Sequence, residues 1–554
     1  SINGQMVLDS GDAGTSDWVR LQKGANVFQA TYQSPPAGDA VVRLLWSSAD
    51  HPAESIPPKH WTHLAADPEL GRDMSMRRGR QLFAERQCLR CHSGGDAYHL
   101  GSGMPELAKD APLLLDIGLR LRGDWMARWI ENPAACREQT SMPRLFHGTK
   151  GPEQSRDVAA YLATLQLGAL TNDRPVPDEE ATIRLGGTLY TQLGCVACHS
   201  LDQSPNLQAD QPRISLRHLR DKFHPPALRE YLLNPSRGYQ ASRMPHFDLE
   251  ETEAEAIAAF LLKQADPPPA PAPAGDPVRG KELAEAAGCI FCHPLPIAAK
   301  SSAPALADFG PLDSGRGCLS TEPGKAPDLG LHEESIEDLK RFLKSGLPSL
   351  KRHTPAEFAE RQIAAHNCTA CHERDGRTDD WTTFQHEVAR WAPKKEEDHE
   401  GQPEPAQDRP SLTWTGEKLH ASWVEQLLSG TREAPARPWL NARMPPYAAH
   451  AAPLARGLAD SHGIPDSAPA HEAADPQLAT IGRDLVTKHL GFGCSDCHGI
   501  GDQAAAAVFE AEGVNFRHTR DRLRPEHYHR LLRDPTKLDP KTTMPRYGDA
   551  HGYT

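Results

Sequence analysis

The triplet Cys-x-x-Cys-His occurs five times in this 554-residue chain: Cys88, Cys91 and His92; Cys195, Cys198 and His199; Cys289, Cys292 and His293; Cys368, Cys371 and His372; Cys494, Cys497 and His498. Chance alone would give on the order of 0.01 such matches at these Cys and His frequencies. Two thiols at this spacing can add across the vinyl groups of a haem, and the adjacent imidazole can become an axial ligand of its iron. Five covalently bound haem c groups are therefore expected. The motifs stand 107, 94, 79 and 126 residues apart. That spacing limits the chain to small units whose cores a cofactor helps to complete.

The composition agrees with several small units rather than one large fold: aromatics are 6% and the chain holds 49 prolines. Ten of its twelve cysteines lie in the motifs. The two others, Cys136 and Cys318, are open to two readings, buried thiols or a disulfide. No run reaches the roughly 18 apolar residues of a membrane helix. The formal charge of −13 argues against nucleic-acid binding and suits a basic redox partner. Haem attachment of this kind predicts a periplasmic or extracellular location.

The intervals between motifs repeat. A short amphipathic segment precedes most of them: Gly79–Phe83, Gly187–Tyr190, Gly280–Leu283 and Gly482–Leu485, with Arg361–Ile363 in the fourth unit, which lacks the glycine. A second helix ends in a proline turn at Pro133, Pro235 and Pro535. Nine residues after each of these prolines stands a Met-Pro pair, at Met142, Met244 and Met544, and Met444-Pro445 follows a longer loop in the fourth unit. A closing helix is patterned at 153–165 and 249–262. Methionine is scarce, nine in all, and these four precede proline at matching places.

In these features the units resemble class I c-type cytochromes, small three-helix domains here strung in tandem over residues 67–554. The fold class expected is mainly α: five such domains behind a short N-terminal β segment. The resemblance implies axial pairs His92/Met142, His199/Met244, His372/Met444 and His498/Met544, with His293 the proximal ligand of the third haem. His/Met ligation raises the reduction potential. The boundaries expected are 67–171, 172–265, 278–352, 353–472 and 473–554. A Pro/Ala linker spans 266–277. A charged, Pro-rich stretch at 392–410 reads as an exposed insertion, and 464–476 as a further break.

The third unit departs from the pattern. No methionine lies between Met244 and Met444, and aligning the closing helices sets Ala326-Pro327 on Met244-Pro245. Either another residue supplies the sixth ligand (His332, Cys318, Lys300, Lys325, His353 or His366) or the position is open to small molecules.

Residues 1–66 show strand patterns at 18–24, 29–32 and 41–46 and resemble the last part of a protective-antigen-like β-sandwich. A β spacer packed on the first cytochrome unit is the alternative. No signal peptide precedes Ser1, and the fifth unit stops before a closing helix, so a segment of a longer, processed protein is expected. The function expected is electron transfer along the haems between a redox donor and acceptor. Two alternatives remain: a haem oxidoreductase acting at haem 3 on peroxide or a small sulfur or nitrogen compound, and a subunit of a larger membrane-associated or surface complex.

Overall fold

The computed structural model describes residues 1–9, 14–36, 40–49, 51–94, 103–108, 111–137, 140–201, 213–309, 317–378, 380–381, 384, 409–432, 435–438, 443–464, 475–487, 491–508, 512–549 and 552–553. Most of the insertion expected at 392–410 and of the break at 464–476 lies outside them. The described chain is mainly helical, and its few strands form two-stranded ribbons. No described helix is long and apolar enough to cross a membrane.

Thirteen helices build the frame: α1 (Pro68–Glu85), α2 (Gly123–Glu131), α3 (Gly151–Ala163), α4 (Glu180–Gln192), α5 (Pro225–Leu233), α6 (Glu251–Gln264), α7 (Pro277–Ala286), α8 (Glu333–Ser345), α9 (Pro355–Ala365), α10 (Ala421–Ser429), α11 (Ala451–Asp460), α12 (Pro476–Leu485) and α13 (Pro525–Arg533). Their starts follow from sequence. Asp67, Asp276 and Asp475 cap α1, α7 and α12 through side-chain oxygens, each with proline at the first helical position. A capping box of Glu250 and Glu253 opens α6.

Within the interval of the second motif three helices pack together. The helix before the motif, α4, crosses the closing helix α6, and α5 packs on α6. Tyr190, Leu228, Ile257 and Phe260 are buried between them. The crossing glycine is Gly186, one residue before the expected Gly187. A Cβ on Gly186 would lie 2.0 Å from the Ala256 carbonyl oxygen, closer than any contact atoms tolerate. Gly186→Ala should therefore force the helices apart and cost about 1–3 kcal/mol in chemical denaturation. In the fourth unit α9 pairs with α11, and the glycine has moved to the partner helix: Gly457 approaches the Pro355 carbonyl and Ala359.

Units 1 and 3 do not fold as contiguous segments. Helix α1, which leads into the first motif, packs on α8 of the third unit. Helix α7, which leads into the third motif, packs on α3 of the first. The two crossings share one design. Arg78 donates from Nε to Asp338 at 2.7 Å, and Gly79 sits on the Asp338 carbonyl. Arg279 donates from Nε to Asp157 at 2.5 Å, and Gly280 sits on the Asp157 carbonyl. The boundaries expected for these two units are corrected accordingly. Residues 68–92 join the stretch from Pro304 through α8, and residues 277–297 join the stretch from Pro112 through α3. The end of the Pro/Ala linker helps to fix this arrangement, since the Asp276 amide donates to Asp157 at 2.8 Å.

Units also touch through matching backbone bridges. Leu121 pairs with Phe223, and Leu419 with Leu523, each antiparallel. In the fifth unit α12 has no closing helix against it among the described residues, and Leu478 and Ile481 are exposed.

The N-terminal segment forms no sandwich among the described residues. Of the expected strands only the last appears, displaced to β1 (Leu45–Ser48), which pairs antiparallel with β2 (His51–Ser55). Trp18 stands 80% exposed, so the apolar pattern upstream has no sheet to bury it. The hairpin packs on the fourth and fifth units, not the first: Arg43 and Ser55 bond Glu417, and Lys537 pairs with Glu54 at 2.8 Å.

Candidate haem centres

Each of the five Cys-x-x-Cys segments is a single helical turn, entered through a residue in the left-handed region. These residues are Gln87, Gly194, Gly288, Asn367 and Gly493, with φ of 53°, 71°, 70°, 53° and 69°. In the first four motifs the positive φ falls two residues after the end of the preceding helix, and in all five it turns the chain so that both cysteines emerge on the following turn. Gln87 and Asn367 hold this conformation without glycine.

Every motif histidine is oriented in the same way. Nδ1 donates to a backbone carbonyl: His92 to Pro304 at 2.8 Å, His199 to Ile214 at 3.3 Å, His293 to Pro112 at 2.9 Å, His372 to Pro410 at 2.8 Å and His498 to Val514 at 2.9 Å. A carbonyl can only accept, so the proton sits on Nδ1 and the Nε2 lone pair is left for a metal. Burial lowers His199 to about 4 and also lowers His293, which keeps both imidazoles in the neutral, ligating form. In the fifth unit the backbone closes on the ring: a Cβ on Gly513 would lie 2.3 Å from His498. The donor set thus fits a covalently held haem at each motif: two thiols one turn apart and one imidazole with a fixed tautomer.

The partners of His92 and His293 lie in each other's sequence interval, as the helix exchange requires. Met142 packs in the core with Ala284, Leu295, Ile297 and Cys289, all close to the third motif. Trp129 Nε1 donates to the Met142 sulfur at 2.9 Å. The first motif instead packs with Leu306, Phe309, Leu319 and Leu331 from the segment that contains Ala326. Phe309 meets the His92 ring edge-on at 4.8 Å.

Met244 packs with Cys195 and Cys198 in the core of the second unit. Met544 is half-buried, and its amide bonds Thr542 Oγ1 at 3.2 Å, just as the Met142 amide bonds Thr140. Met444 is 40% exposed and lies outside the clusters, so the structure does not bring it into the fourth core. Sequence reasoning passed over a further Met-Pro pair. Met104 is 1% exposed among Phe83, Leu339 and Leu350, where it fills the core.

The alternative ligands proposed for the third haem are scattered. His332 is exposed ahead of α8, and Lys325 and His353 are also exposed. Lys300 pairs with Glu285 at 2.5 Å. His366 is buried in the fourth unit against Tyr447 and His450. Cys318 lies near the first motif: burial and then Cys318 push the Cys88 thiol up to about 12, and the same two causes raise Cys91. Cys318 and Cys136 form no disulfide, and Cys136 is exposed rather than buried.

The motifs lie close together in two pairs. Cys292 is pushed up to about 11 by burial and then by Cys91, so the first and third motifs lie within electrostatic reach of each other. Cys198 is pushed up to about 11 by burial and then by Cys371, which joins the second and fourth. Across this second pair Asn367 donates to the Ala197 carbonyl at 3.0 Å, and Ala370 and Phe384 enter the core of the second unit. Tyr447 is half-buried and packs against the same core as Cys368, a placement with no signal in the sequence.

Residues 183–265, nearly all of the second unit, match the family model of cytochrome c. No curated protein and no solved structure matches the chain. The matched domain supports a c-type cytochrome with covalently bound haem c and a haem-based role in electron transfer.

Proposed function

We propose that the chain is a pentahaem c-type cytochrome that passes electrons along five covalently bound haems between redox partners. The observation that carries this reading is the fivefold repetition of one geometry: a left-handed residue, a Cys-x-x-Cys turn, and an imidazole held through Nδ1 by a carbonyl. A bound haem supplies reversible one-electron chemistry. The chain's residues fix its position, supply the axial ligands and set its surroundings. The direct packing of motifs 2 and 4, through Asn367 on the Ala197 carbonyl and Ala370 in the second core, favours exchange within that pair.

The location proposed is periplasmic or extracellular, where haem attachment of this kind takes place. The donor and acceptor are proposed to be redox proteins, met singly or within a larger membrane-associated or surface complex. In stopped-flow reduction by a limiting amount of a small reductant, electrons should redistribute among the haems within one chain, at a rate independent of protein concentration. A redistribution rate that rises with protein concentration would mean that the haems exchange electrons only between molecules.

A further inference from the structure

We propose that the first and third haem centres exchange their distal halves. On this assignment Met142 ligates the haem held by Cys289, Cys292 and His293, and the haem held by Cys88, Cys91 and His92 is the one without a methionine ligand. The inference rests on the reading that the motifs carry haem, and it reverses which haem is the exceptional one.

Four independent features carry it. Helix α1 is closed by α8, and α7 by α3, through the same Arg-Gly to Asp crossing. The Nδ1 acceptors are exchanged as well: His92 uses Pro304 and His293 uses Pro112. Met142 packs against the same core as Cys289 and Ile290, whereas Cys88 and Leu89 pack against a core of Leu306, Leu331, Ile336, Leu339 and Leu350 together with Met104 and Leu107. Finally, the two distal loops meet symmetrically. The Arg144 amide donates to the Asp328 carbonyl at 2.8 Å, and the Asp328 amide returns a bond to Arg144 at 2.9 Å. Arg144 stands two residues after Met142, and Asp328 two after Ala326. Met142 and Ala326 thus stand at matching places on either side of this bridge.

The register of Ala326 is supported by spacing. Twelve residues separate it from Asp338, the residue under the Gly79 crossing, and twelve separate Met244 from Ala256, the residue under the Gly186 crossing. Alanine offers no atom that can coordinate iron, so haem 1 has no methionine from this loop. Met104 lies in the core around Cys88, among Phe83, Leu339 and Leu350, but comes from outside this loop. Met104→Ala should leave the count of methionine-ligated haems unchanged, and a loss of one would make it the ligand of haem 1 and overturn this part of the assignment.

Two pairs of variants test the exchange. Cys88→Ala with Cys91→Ala removes haem 1, and Cys289→Ala with Cys292→Ala removes haem 3. Haem per chain is measured by haemochrome absorbance. Methionine-ligated haems are counted from the upfield-shifted axial-methionine resonances of the reduced protein. Loss of haem 1 should leave that count unchanged, and loss of haem 3 should lower it by one. The opposite result would establish contiguous pairing and overturn the proposal. Ala326→Met should raise the count by one in the chain lacking haem 3 and leave it unchanged in the chain lacking haem 1.

A haem-independent measurement covers the case in which an attachment variant fails to fold. Ser75 Oγ lies 2.5 Å from Asp338. Ser75→Cys with Asp338→Cys should oxidise to a disulfide visible in a peptide map, whereas Ser75→Cys with Asp157→Cys should not. A crosslink only in the second pair would overturn the exchange even if the chain carried no haem. Absence of covalent haem with the first crosslink intact would instead overturn the proposed function alone.

Discussion

Replacing Glu417 by alanine should destabilise the packing of the fourth and fifth units by about 3–5 kcal/mol and release the N-terminal hairpin. The Glu417 side chain is 1% exposed and accepts from Arg530 at 2.6 Å, from Arg43 at 2.8 Å and from the Ser55 hydroxyl. Arg530 is itself 8% exposed, so loss of the carboxylate leaves a guanidinium buried without its countercharge. Burial alone would raise the Glu417 pKa, but the Ser55, Arg530 and Arg43 donors win and hold it down at about 2. Its folded value is below its unfolded one, about 4.3. The stabilisation is therefore complete at neutral pH and is lost as pH falls from about 4.5 towards 2. Denaturant titration at pH 7 and pH 3 should show the wild type losing much of its advantage over Glu417→Gln at the lower pH. A difference that did not change with pH would show that the carboxylate charge is not what holds the hairpin.

Met244→Ala should lower the reduction potential of one haem by on the order of 0.1 V or more, within the roughly 0.8 V span that axial ligation covers. Methionine ligation raises the potential, and Met244 is the proposed ligand packed against Cys195 and Cys198. A spectroelectrochemical titration should show one of the five transitions displaced and the others in place. Met104→Ala is the control. It should cost about 2–5 kcal/mol of stability by opening a cavity, with all potentials retained. If Met244→Ala shifted no transition, the sulfur would be a packing atom like that of Met104.

Much of this architecture can be read from local sequence. A motif repeated five times, aspartates standing before proline at helix starts, and a short amphipathic segment ahead of each motif all act over a few residues, so their pattern survives without a structure. The pairing of units 1 and 3 does not. Arg78-Gly79 and Arg279-Gly280 present the same surface, and Asp157 and Asp338 accept it equally, so local chemistry does not say which helix closes which. Tertiary constraints decide it, among them the Asp276 amide on Asp157 and the paired Arg144 and Asp328 loops. The glycine register shows a smaller version of the same limit. Gly186 and Gly187 are adjacent, and the close approach of the Ala256 carbonyl to Gly186 is a tertiary fact that neither neighbour announces in sequence. The N-terminal segment failed as a sheet for another reason. Alternation at 18–24 and 29–32 predicts strands, but a strand needs partners, and the described residues supply only one hairpin.

The most direct test of the account is the mass of the intact chain under denaturing conditions, read beside its haemochrome absorbance. Covalent attachment at all five motifs predicts a mass above that of the polypeptide by five haems, retained after acid and organic extraction. A chain with fewer than five haems, or with haem that extracts, would contradict it.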